Sequence, residues 1–311
     1  MNQADGRSLR RVLLALLGLF LLACIGFGFA YVLLTLGTES TPASQRFVDL
    51  EEYSIWRLLV GVNFAVWFAL LPVILIWVNE AKRLLEGNAE LVFAAGFLFL
   101  ILAAFIWAVL DLAPSRTWPL ENHLGRTATI QAVGVLAAAP AIIGMLAIGA
   151  KVRARPNRWE NPTSENLNRV LGLRHYLRRF LAVLGTFIGL VILATGALRH
   201  SVVAAGFEYP SEGVVLYGAL FTALVAAIYV PTFSAVEGLA RQVRNRAFPM
   251  PDISSRDGDA AKGDPVKQLE DRAALGETLK LGGTAKTNLE TLVLVFTPLL
   301  TSLITSALGG G

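Results

Sequence analysis

Few side chains in this sequence carry chemistry, and they are thinly spread. Asp111 is the only carboxylate close to a long apolar run, standing before Pro114 at the end of that run. With Glu121 and His123 it would supply an acid–base group for a lipid headgroup at the outer membrane face. A helix-end carboxylate facing water is the plainer reading of Asp111. Asn63, Gln131, Tyr217 and Tyr229 lie within apolar runs, where each would bridge helices by a hydrogen bond or line a polar path. Thr297, Thr301 and Thr305 recur every fourth residue, joined by Ser302 and Ser306, as a hydroxyl stripe at helical spacing.

Signatures of a reaction are missing. Cys24 is the single cysteine, which excludes an internal disulfide and a cysteine metal cluster. His123, His175 and His200 all fall outside the apolar runs, so no serine–histidine pair is available at membrane depth. Neither H-E-x-x-H, a P-loop nor GxGxxG occurs. Asp257-Gly258-Asp259 with Asp264 lacks the terminal bidentate glutamate of a calcium loop and reads as linker. No cofactor or metal is expected, and the balance leans away from an enzyme.

The elements that must position these groups are membrane helices. The chain has 311 residues, 55% apolar and 16% charged, with a mean hydropathy of +0.58. Soluble domains sit near 45–50% apolar and about 25% charged. A hydrocarbon core of about 30 Å takes roughly 20 residues of helix. Six runs meet or approach that length, at residues 12–36, 58–78, 91–112, 130–150, 181–198 and 214–235. The expected fold is therefore an all-α polytopic membrane protein, a six-transmembrane-helix bundle over residues 1–236. Residues 237–290 follow as a cytoplasmic linker and short helix, and residues 291–311 as a seventh apolar helix. Pro298 interrupts that helix, so an interfacial or half-inserted, re-entrant position packed on the bundle is preferred to a full span. Leu21-Leu22-Ala23-Cys24 has the order of a lipoprotein cleavage site, but residues 25–36 stay apolar, which favours an uncleaved anchor.

Charge orients the spans. Of 27 Lys and Arg residues, 22 fall on the side of the N-terminus, the loop at 151–180 and the tail. By the positive-inside rule that side is cytoplasmic, in a bacterial-type inner (plasma) membrane. The net charge of +4 and pI near 9.4 then need no nucleic-acid partner. Between the fourth and fifth runs a helix capped near Asn161 and Pro162 carries Arg169, Arg174, Arg178 and Arg179 among apolar residues. It is expected at the interface, against anionic headgroups, as an elbow into the fifth span.

Packing signals are clearer than chemical ones. Gly185, Gly189 and Gly196 form a smooth face on the fifth span. Gly134, Ala137, Ala138, Ala141 and Gly144 do so on the fourth, and the two faces are expected to pair within one subunit or across a dimer. The function expected from all this is a non-enzymatic membrane component, a scaffold, anchor or assembly subunit. It would act through its tail and C-terminal helix on a protein partner or a second copy. The alternatives are a channel or facilitator lined by the sixth span and the hydroxyl stripe, and an outer-face lipid-acting enzyme.

Overall fold

Long apolar runs without helix breakers other than isolated prolines propagate well past the length a bilayer requires. The computed structural model describes residues 3–35, 42–85, 123–154, 163–209, 211–249, 265–279, 281 and 285–308, and among these it contains helices and no strand. The helices are α1 (Gln3–Thr35), α2 (Pro42–Val48), α3 (Glu51–Leu85), α4 (His123–Ala154), α5 (Ser164–Ala204), α6 (Ser211–Ala247), α7 (Pro265–Thr278) and α8 (Ala285–Leu308). Five of them, α1, α3, α4, α5 and α6, are long and apolar enough to cross a membrane. α8 carries a shorter apolar stretch, Val293–Thr305. The run at 91–112, with Asp111, and Glu121 and Asp257–Asp264 beyond it lie outside the described residues.

The elbow expected before the fifth span is straightened into it. α5 starts at the N-cap Thr163, whose hydroxyl accepts from the Asn166 N–H at 3.2 Å, and continues for 41 residues. At 1.5 Å per residue that is roughly 62 Å, about twice the hydrocarbon core. The cause is an unbroken buried stripe, Val170, Leu173, Leu177, Phe180, Leu181 and Leu184, which gives the helix no point at which to turn. At its far end Gly206, with φ +84°, takes the left-handed conformation that stops the helix, and the Phe207 N–H reaches back to the Val202 carbonyl.

α3 is the hub, packing on α1, α4 and α5. α1 approaches it closely because Gly26 meets the Phe64 backbone and Gly61 meets the Phe27 ring. Much of the rest of α1, from Val12 to Leu21, is exposed hydrocarbon. Where α1 ends, the Leu34 carbonyl accepts from the Tyr53 hydroxyl at 3.2 Å and from Arg126 at 3.3 Å. Both donors are buried, and they satisfy a helix-terminal carbonyl that has no partner in its own helix. α2 tucks beneath, its Phe47 ring 5.1 Å from Tyr53.

The glycines of α4 meet large side chains, not the glycines of α5. Gly134 receives the Trp67 ring, and a methyl there would come within 2.7 Å of it. Gly144 receives the Phe180 ring at the same distance, and Gly149 receives Thr232. Small residues thus serve as sockets for large side chains, the knobs-into-holes solution to close packing. The C-terminal ends of α3, α4 and α6 and the N-terminal end of α5 meet at one end of the bundle, shown by Tyr176 donating to Glu80 at 2.5 Å and Arg174 lying over Phe233. Lys82, Arg83, Lys151, Arg153, Arg241, Arg244 and Arg246 cluster there with the arginines of α5.

Candidate functional site

The tail makes specific contacts with the bundle. α8 does not lie across an end of the bundle; it runs alongside α5 and α6. The glycine face of α5 meets it in parallel register: Gly185 beside Leu294, Gly189 beside Thr297 and Thr301, Gly196 beside Thr305. A methyl on Gly196 would fall 1.7 Å from Thr305 Cγ2, so only glycine fits. On Gly189 it would sit 3.4 Å from Thr297 Cγ2, a tight but ordinary contact. From the other side Gly218 of α6 abuts Ser302 and the Pro298 carbonyl.

This contact also accounts for the hydroxyl stripe. Thr297, Thr301 and Thr305 donate to the carbonyls of Val293, Thr297 and Thr301 at 2.7, 2.8 and 2.7 Å. Ser302 donates to Leu299 at 2.8 Å. With the hydroxyls satisfied inside α8, the Thr297 and Thr305 methyls pack against Gly189 and Gly196. The stripe is a packing surface between helices. Pro298 has no N–H to give the Leu294 carbonyl, and that oxygen lies against Gly185. One residue on, the Leu299 N–H donates to Thr222 Oγ1 of α6 at 3.1 Å. The proline is thereby held between two neighbouring helices.

At the basic end, α7 rests its C-terminal turn on α5 and α6. Leu279 is fully buried, and its carbonyl accepts from Arg174 Nη1 at 2.5 Å. The Arg174 guanidinium also lies 5.5 Å over the Phe233 ring. A cation suits the carbonyl-rich end of a helix, where the backbone dipoles leave partial negative charge. Arg244 lies beside Gly276, and Arg272 of α7 donates back to the Phe248 carbonyl and, at 2.6 Å, to Asn245 Oδ1. Arginines of α5 and α6, with Arg272 of α7 itself, therefore hold the tail helix.

The four arginines expected at headgroups divide their roles. Arg174 is only 6% exposed and turned toward the tail. Arg169 pairs with Glu165 at 2.5 Å on the surface, where such an i,i+4 pair contributes little. Arg179 lies 4.9 Å over Trp77, and Arg178 Nε is buried without a hydrogen-bond partner. Of the other expected polar positions, Asn63 Nδ2 donates to the Leu190 carbonyl at 3.2 Å and joins α3 to α5. Tyr229 is buried with its ring stacked 5.6 Å from Phe233, while Gln131 and Tyr217 line a cavity farther from the basic end. His123 opens α4. Gly218 and Arg272 escape sequence reading because each acts singly, with no periodic neighbour to mark it. No family model, curated protein or solved structure matches the chain.

Proposed function

We propose that the chain is a multi-pass inner-membrane protein of non-enzymatic character, a scaffold or assembly subunit that works by presenting α7 to a protein partner. The basic end of the bundle is its cytoplasmic face, and the N-terminus lies there. α8 crosses the membrane beside α5.

The observation that carries the reading is the two-sidedness of α7. Its C-terminal turn is held by Arg174, which donates to the carbonyl of the buried Leu279, while Val266 and Leu269 near its start are 60% and 45% exposed. Lys267, Glu270 and Asp271 stand among them. A helix fixed along one edge offers a partner a preorganised surface, so little ordering entropy is lost on binding. The test is in-cell cross-linking of the full chain against the Val266→Glu, Leu269→Glu double variant. The cross-linked species should disappear while membrane insertion and protease protection of α7 persist. An unchanged cross-linking pattern would reject the reading.

A further inference from the structure

At the basic end of the bundle, two arginines one turn apart on α5 are left with covered and unmatched donors. We infer that this turn, Arg174 to Arg178, binds a phosphate group at the membrane surface, and that binding secures the docked tail helix.

Unmet charge is the first argument. Arg174 and Arg178 share one face of α5 and repel each other. Arg178 is half-buried, and its Nε has no hydrogen-bond partner. The Nε of Arg174 is in the same condition, although its Nη1 serves the Leu279 carbonyl. Carboxylates on the surrounding helices are committed elsewhere. Glu237 of α6 accepts from Arg241 at 2.8 Å, Glu80 of α3 from the Tyr176 hydroxyl at 2.5 Å, and Glu165 of α5 from Arg169 at 2.5 Å. On α7, Glu270, Asp271 and Glu277 are exposed. A partly desolvated guanidinium without a counter-charge is costly, so an anion from outside the chain is drawn to it.

Position and chemistry are the second. Arg179, the next residue, lies 4.9 Å over Trp77 of α3. A tryptophan near the end of an apolar span marks the headgroup level of a bilayer, where phosphates are dense. The planar guanidinium fork matches two oxygens of a phosphate. With the neighbouring carboxylates occupied, nothing here would attract a quaternary ammonium. An anionic phospholipid should therefore be preferred to phosphatidylcholine.

The third is the link to the tail. Arg174 holds the last carbonyl of the α7 turn while Arg178 pushes on it electrostatically. A phosphate seated on Arg178 cancels that repulsion and favours the position of Arg174 in which α7 is docked. Binding and docking are then coupled, because each stabilises the same arrangement of one side chain.

The experiment places the full chain in nanodiscs of phosphatidylcholine alone, of phosphatidylcholine doped with phosphatidylglycerol, and of phosphatidylcholine with millimolar inorganic phosphate. Amide exchange at Gly276–Leu279 should slow about fivefold when an anionic phosphate is supplied, with exchange in α4 unchanged. Slowing by phosphatidylglycerol alone assigns the site to a lipid headgroup, and equal slowing by inorganic phosphate assigns it to a free anion. Arg178→Met keeps the apolar stem and removes the charge, and it should abolish the slowing. It should also lower the affinity for phosphatidylglycerol, titrated by native mass spectrometry, about tenfold, the share of one charge-assisted hydrogen bond. Arg153→Gln, at an exposed cation of the same basic layer, should change neither readout. No slowing from either source, or slowing that survives Arg178→Met, would overturn the inference. The wild-type exchange comparison needs no variant, so it decides the matter even if Arg178→Met does not fold.

Discussion

At the scale of single residues, the fold depends on a few glycines far more than on the rest. Gly196 has no room for a methyl because Thr305 occupies the space, whereas Gly28 has nothing within 4 Å. Gly196→Leu should therefore push α8 off α5 and lower stability by about 1–3 kcal/mol, as overpacking does. Gly28→Ala should leave stability unchanged or slightly raised, since alanine is the better helix former. Thermal unfolding in one detergent, read for both variants, checks the pair. Thr222→Val removes the acceptor for the Leu299 N–H and should cost roughly 0.6 kcal/mol, the usual worth of a hydrogen bond between membrane helices. The spacing of Gly185, Gly189 and Gly196 marks a close-approach face in the sequence, but spacing carries no information about what approaches. The same holds for Thr297, Thr301 and Thr305: the period is legible, while the mating of one stripe with the other depends on register between segments about a hundred residues apart.

At the scale of elements, the arginine clamp on α7 is the contact most open to a single test. Arg174→Ala leaves the Leu279 carbonyl without its charged donor and should release the tail helix by about 1.5–3 kcal/mol. Amide exchange around Gly276–Leu279 should rise while exchange in α3 and α4 stays unchanged. Arg174→Lys should restore only part of the protection, because an ammonium cannot both reach the carbonyl and stack flat over Phe233. Helix existence at this scale is readable from apolar periodicity alone, and Thr163 lies within two residues of the start expected near Asn161. The straightness of α5 is not readable in the same way. Alternating arginines and leucines fit an interfacial helix equally well until one knows that Leu84 and Trp77 of α3 extend far enough to bury its apolar face.

At the scale of the whole molecule, the distribution of charge and the docking of the tail belong together. The basic ends of α3, α4, α5 and α6 form one layer, and the C-terminal end of α7 settles into it. Removal of residues 285–311 would bare the glycine face of α5 and the Gly218 notch of α6 in a membrane where small-residue faces associate readily. The truncated protein should dimerise through α5, detectable by light scattering in detergent and by disulfide trapping at Gly189→Cys. Persistence as a monomer would show that the groove closes without α8. The order of synthesis gives this packing a clock. Gly196 is translated 109 residues before Thr305. At about 5–20 residues per second the groove waits on the order of 5–20 seconds for the segment that fills it. During that interval a nascent chain carries an open seat for a foreign helix.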